Sequence, residues 1–162
     1  MRLQKKITRA MPKNLNSDIT KLITKYLSIR EHSKLELKNK LSSKGFECDQ
    51  IDVCLNEFSL KNIQCDVRFT EEFIRSRLKK NKGPRLISSE LSARGISDSL
   101  INNKLYEISD EMWQACAFNA LEKKIKGTSS DINTEKIYSF LIGRGFDHKM
   151  IKYALDEYKD EC

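Results

Sequence analysis

Three copies of one short pattern, spaced 50 residues apart, constrain this chain more than any other feature of it. Leu41-Ser42-Ser43-Lys44-Gly45-Phe46, Leu91-Ser92-Ala93-Arg94-Gly95-Ile96 and Leu141-Ile142-Gly143-Arg144-Gly145-Phe146 all read L-x-x-(K/R)-G-(F/I). The register continues on both sides. Leu37, Ile87 and Ile137 precede the motif; Ile51, Ile101 and Ile151, then Leu55, Leu105 and Leu155, then Phe58, Ile108 and Tyr158 follow it. Apolar and glycine columns kept through three copies mark an internal repeat, and a fixed period of this length belongs to arrays of small units.

Each copy has a physical reading. The apolar pair at i and i+4 before the glycine (Leu37/Leu41, Ile87/Leu91, Ile137/Leu141) is the buried stripe of a short helix. The basic residue falls in the last turn, toward the negative end of the dipole, and glycine supplies the left-handed stop. Start signals for another helix follow: Asp49 with Asp52, Ser97 ahead of Leu100, and Asp147 ahead of Met150. A further amphipathic run precedes each pair: Ile19, Leu22, Ile23, Tyr26 and Leu27; Phe69, Phe73, Ile74 and Leu78; Trp113, Cys116, Ala117, Ala120 and Leu121. The unit is therefore three helices. Ser33-Lys34-Leu35-Glu36 reads as a capping box, Pro84 as a first-turn residue, and Thr134 as a cap, while Lys126 to Asp131 has the composition of a solvated loop.

The fold class expected is all-α: three tandem three-helix repeats forming an elongated array that can curve. The segments are a basic N-terminal arm at 1–17 and repeats at 18–60, 61–110 and 111–162. Only two prolines and six glycines argue against a many-stranded sandwich or barrel. No apolar run reaches the roughly 18 residues of a membrane span. Five cysteines, odd in number and without a C-x-x-C pair, fit a reduced compartment, and His32 and His148 lie in no metal-ligand cluster. The N-terminus lacks the apolar core of a secretory signal, so a cytoplasmic protein without metal or cofactor is expected.

Charge is unevenly placed. The net +7 comes from the arm, with five basic and no acidic residues, and from residues 61–110, with ten basic against seven acidic; the first and third repeats are close to neutral. Within the middle repeat it concentrates in Arg75, Arg77, Lys79, Lys80, Lys82 and Arg85, with no acidic residue between Glu72 and Glu90. A charge run is usually a solvated face. Here no interleaved carboxylate forms i,i+4 pairs, so like charges repel, and an anionic partner is the electrostatic explanation of such a stripe. With Phe69, Phe73, Ile74 and Leu78 facing inward, Arg75, Lys79 and Lys82 fall on outward positions of one helix, flanked by Arg77 and Lys80. Trp113, Tyr26, Phe46, Phe146 and Tyr158 sit at stripe positions and read as core. The arm residues Arg2, Lys5, Lys6, Arg9 and Lys13 read either as an additional phosphate grip or as a frayed terminus.

The sequence resembles the bacterial RecX regulatory proteins. The resemblance rests on Tyr26-Leu27-Ser28-Ile29-Arg30 with Ser33 and Glu36-Leu37; on Ile63-Gln64-Cys65-Asp66-Val67-Arg68-Phe69 with Arg77, Gly83, Ile87, Glu90-Leu91 and Arg94-Gly95-Ile96; and on Leu141-Ile142-Gly143-Arg144-Gly145-Phe146. It covers about residues 18–158. It implies a non-enzymatic regulator that binds the RecA recombinase filament, with single- or double-stranded DNA inside the complex. That regulator would limit filament growth or promote disassembly, lowering ATP hydrolysis, strand exchange and co-protease activity in DNA repair, recombination and the SOS response. A monomer and no membrane are expected. Cys65, where an acidic residue is usual in the family, and Thr70, where a small apolar one is usual, depart from its pattern and bear on local packing. No Walker loop, G-x-S-x-G elbow or H-E-x-x-H appears, and an extended helical array offers surface more readily than a catalytic cavity. The competing reading is a helical-repeat module that grips nucleic acid through phosphates alone, without RecA.

Overall fold

The computed structural model describes residues 13–126 and 133–160. Arg2, Lys5, Lys6 and Arg9 of the arm, residues 127–131 of the hydrophilic loop, and Cys162 lie outside the described residues. The described residues contain helices and turns but no strand. The helices fall in threes: α1 (Lys13–Leu27), α2 (Lys34–Ser42) and α3 (Cys48–Leu60); α4 (Asp66–Leu78), α5 (Pro84–Ser92) and α6 (Asp98–Tyr106); α7 (Asp110–Lys126), α8 (Thr134–Gly143) and α9 (His148–Asp160). Helix α1 starts at Lys13, inside the segment read as an arm.

The repeat columns are the core. Leu37, Ile87 and Ile137, Leu41, Leu91 and Leu141, and Ile51, Ile101 and Ile151 are all buried. The glycine column supplies the positive φ required of it, at +87° for Gly45, +78° for Gly95 and +90° for Gly145. In each case the residue after the glycine donates its amide to the Leu five positions back, closing a Schellman stop. The sequence reading missed two further stops of the same kind. Asn62 and Asn81 take φ values of 54° and 52°, and the amides of Ile63 and Lys82 reach back to Phe58 and Arg77. Asparagine is the non-glycine residue that best tolerates this conformation, so an asparagine after a helical stripe was the available signal.

Helix starts agree in part. Ser33 accepts from the Glu36 amide at 3.1 Å, Ser97 from that of Leu100, and Asp147 from that of Met150 at 2.8 Å; Pro84 opens α5. Two expectations are corrected. Helix α3 begins at Cys48 and its cap position is Glu47, two residues before Asp49, with no side-chain bond, so Asp49 sits in the first turn and contributes only through the dipole. Asn133, not Thr134, caps α8, its Oδ1 accepting from the amides of Glu135 and Lys136. Asparagine outranks threonine at that position.

The chain packs as two compact units, one through Cys65 and one from Asp66 onward. In the first, α1 to α3 enclose Ile19, Ile23, Leu37, Leu41, Ile51 and Leu55. A buried polar strut closes one end: Ser59 donates to Gln64 Oε1 at 2.8 Å, and Gln64 Nε2 donates to the His32 carbonyl at 3.2 Å. His32 is itself buried, with Nδ1 donating to the Arg30 carbonyl at 3.0 Å and its ring 5.9 Å from Tyr26. Burial holds its pKa below the ordinary imidazole value of 6.5, outweighing the backbone bond and Glu36, which push the other way. The unfolded chain thus binds a proton that the folded chain resists, and stability is present above the unfolded pKa and lost as pH falls through it. The first unit is expected to melt at a lower temperature at about pH 5.5 than at about pH 7.5, and His32→Gln to reduce that difference. Thermal melts of wild type and variant at both pH values check this.

The second unit joins two three-helix sets. Phe69, Ile74, Ile87, Leu91, Ile96 and Ile101 form one core, and Trp113, from α7, completes it. Cys116, Ala117, Leu121, Ile137, Leu141, Phe146, Ile151 and Ala154 form the other. Leu78 and Met150 pack on both, so the apolar interior is continuous across the two sets. The aromatic assignments stand: Trp113 and Phe146 are buried, and Tyr26, Phe46 and Tyr158 pack half-buried on their cores. Thr70 is fully buried, its hydroxyl donating to the Asp66 carbonyl at 2.7 Å, which satisfies the one polar atom of that side chain.

Candidate partner interface

The nominated basic residues do not share one helical face. Helix α4 ends at Leu78, and the chain turns through Lys79, Lys80, Asn81 and Lys82 before Gly83 and Pro84 open α5. The stop is another Schellman closure: Asn81 donates its amide to the Leu78 carbonyl at 2.9 Å and Lys82 to Arg77 at 3.1 Å. Only Arg75 and Arg77 lie on α4, and Arg85 falls in the first turn of α5, so the spacing that placed Lys79 and Lys82 on a continuing helix is corrected: the basic cluster is a helix end, a turn and the start of the next helix. Positive charge there also complements the orphan carbonyls of the α4 C-terminus.

The six side chains have different surroundings. Arg77 is committed inward: it pairs with Glu90 and lies over the Phe73 ring, 4.2 Å from its centroid, with Arg94 4.7 Å from the same ring. Arg75 borders an open groove of about 270 Å³ between α4 and α6, with Glu71, Ile74, Leu78, Lys104, Glu107 and Ile108. There Lys104 bridges Glu71 at 2.8 Å and Glu107 at 2.9 Å, which pulls the Glu71 carboxyl below its ordinary range, with Arg75 adding to the effect. Lys79, Lys80 and Arg85 are exposed and Lys82 is half-buried. None of these last four forms a side-chain ion pair with another described residue. Four cations thus fall within seven residues without a side-chain ion pair to another described residue, a local concentration of positive charge on the second unit's surface.

The turn that carries them is fixed from the other three-helix set. Arg144 Nη1 donates to the Lys80 carbonyl at 2.9 Å and the Asn81 carbonyl at 3.3 Å, while its guanidinium lies 4.7 Å from the Phe140 ring centroid. The main chain adds two bonds: the Gly83 amide donates to the Arg144 carbonyl at 2.8 Å, and the Arg85 amide to the Gly145 carbonyl at 3.1 Å. These approaches require both glycines. A Cβ on Gly83 would lie 2.4 Å from the Gly145 carbonyl carbon and oxygen, and one on Gly145 2.4 Å from the Leu86 amide nitrogen.

This explains a difference among the repeats. Ser33, Gly83 and Asn133 occupy the same register position, the N-cap of the middle helix. The serine and the asparagine cap with their own oxygens; at Gly83 the Gly145 carbonyl takes the Arg85 amide, and a side chain has no room. The sequence pattern places Arg144 only at its own helix end and does not reveal its reach to the turn after α4, because the pairing runs over 64 residues.

Residues 66–105 match the family description "RecX, second three-helix domain". A "Regulatory protein RecX" from Legionella pneumophila (strain Corby) is 38% identical over 135 residues, spanning 82% of this chain and 89% of its own. Another, from Chromohalobacter salexigens, is 33% identical over 130 residues, spanning 80% and 85%. Among solved structures, that of RecX from Lactobacillus salivarius has a TM-score of 0.77 at 24% identity, covering 90% of this chain and 97% of that one.

Proposed function

The chain belongs to the RecX family of regulatory proteins, and from that premise we propose that it binds the RecA–DNA filament and limits its extension or promotes its disassembly. RecA-dependent ATP hydrolysis, strand exchange and co-protease activity fall as a result. The protein acts as a cytoplasmic, non-catalytic monomer, and the three helical repeats are its working parts. The observation that carries the reading is the basic turn, whose four cations have no ion-pair partner among the described residues and project from a fixed backbone. A RecA–DNA filament presents phosphates and carboxylates that such a surface can neutralise.

A module that only grips phosphate would bind free DNA as well as filament and would lose affinity steeply with salt. The two readings separate in an ATPase assay with cognate RecA already saturating single-stranded DNA. Sub-stoichiometric amounts of this protein are expected to suppress hydrolysis and shorten filaments, beyond what its competition for bare DNA produces. Hydrolysis and filament length unchanged at saturation would remove RecA from the account and leave the phosphate-binding module.

A further inference from the structure

The basic turn belongs to the second three-helix set, yet neither the turn's own carbonyls nor the start of the helix after it is satisfied by that set alone. Helix α4 ends at Leu78, and in the turn beyond it the carbonyls of Lys80 and Asn81 are taken by the Arg144 guanidinium. Helix α5 opens on Gly83, which has no side chain to offer, and the Arg85 amide is taken by the Gly145 carbonyl. Two consecutive residues of the third set thus hold the turn that follows the C-terminus of one helix and complete the N-terminus of the next. Between those two ends lie Lys79, Lys80 and Lys82, with Arg85 in the first turn of α5.

Such a turn needs external support. Its cations repel one another, and among the described residues no carboxylate pairs with them, so free rotation about the turn would spread them apart. The Arg144 side chain, flanked by Phe140 and engaged with two backbone carbonyls, ties the turn's main chain to α8. A planar guanidinium suits this role, since it holds several donors in fixed directions.

We infer that Arg144 is a positioning residue for the partner-binding turn: it fixes Lys79, Lys80 and Lys82 in the arrangement that meets the anionic partner, so that the contact surface of the second repeat depends on the third. The inference rests on the proposed role of the basic turn and adds the residue that sets its geometry.

A double-mutant cycle tests it. The probe is a RecA filament assembled on fluorescein-labelled oligo-dT with a non-hydrolysable ATP analogue, and the readout is the Kd of wild type, Arg144→Gln, Lys79→Ala/Lys82→Ala and the three substitutions combined. Arg144→Gln and the lysine pair are each expected to weaken binding about tenfold, and the combination to be little weaker than either, because an unpositioned turn has little left to lose. Losses that multiply to about a hundredfold would make Arg144 an independent contact and overturn the inference, as would wild-type affinity in Arg144→Gln. If the lysine pair alone leaves Kd unchanged, the role of the turn itself fails, a result distinct from failure of Arg144. Circular dichroism accompanies each variant. Should Arg144→Gln not fold, the cycle is run with Arg144→Lys, which keeps the charge but is too short to span both carbonyls; weakened, non-multiplying affinity is again expected, and wild-type affinity again overturns the inference.

Discussion

Replacing Gly145 with alanine is expected to destabilise the second unit by about 3 kcal/mol or more, whereas the same change at Gly45 costs the first unit only about 1 kcal/mol. Both glycines sit in the same motif with nearly the same backbone, φ +90° and +87°. Both substitutions therefore incur the left-handed penalty of an L-residue, roughly 1–2 kcal/mol. Their surroundings differ. A Cβ at Gly45 meets nothing within 4 Å, while one at Gly145 meets the Leu86 amide nitrogen at 2.4 Å and Leu86 Cβ at 2.5 Å. Backbone on the receiving side cannot rotate away, so the third set must shift and the bonds from Gly83 and Arg85 lengthen. Thermal unfolding of the two variants, followed separately for each unit, reads the comparison. A drop of about 10 °C or more for Gly145→Ala beside a few degrees for Gly45→Ala is the expected result. Gly143 gives an internal control: it is helical, has open space around a Cβ and no positive φ, so alanine there should not destabilise.

The second large effect is on binding. Charge reversal of Lys79, Lys80 and Lys82 to glutamate is expected to lower affinity for the RecA–DNA filament by about a hundredfold near physiological salt, and to flatten the salt dependence by two to three counterions. The folded state should lose little, because these side chains form no ion pair with a described residue. Arg77 is expected to behave in the opposite way. Its partners are Glu90 and the Phe73 ring, so Arg77→Ala should lower stability by about 1 kcal/mol or more through lost packing while leaving the salt slope in place. Anisotropy titrations over a salt series and thermal melts of the same variants distinguish the two. A triple reversal that binds like wild type would return the turn to an ordinary solvated surface.

What could be read from the sequence follows the range of the forces involved. Helix stripes, glycine stops and most caps depend on residues within about five positions of one another, and they were visible as a periodic register. The caps that fall elsewhere, at Glu47 and Asn133, are displaced from Asp49 and Thr134 by two residues and one. The candidate site was legible as composition but not as geometry. Six basic residues were nominated as one stripe; the Asn81 turn breaks that stripe, and Glu90 and Phe73 take Arg77 out of it. Arg144 carries the opposite lesson. It stood in the repeat motif from the start, but its reach to Lys80 is a tertiary fact that no local pattern encodes.

The column of Ser33, Gly83 and Asn133 has a consequence for how such a protein can be rebuilt. Sequence periodicity invites treating the repeats as interchangeable parts, to be duplicated, shuffled or recombined with those of relatives. The junction between the second and third sets forbids this, since the receiving repeat must be bare where the others carry a cap. A hybrid that placed the first repeat's serine in the receiving position would keep every helix and still lose the joint. Identity of a repeat thus resides less in the columns it shares with its neighbours than in the one atom it leaves out.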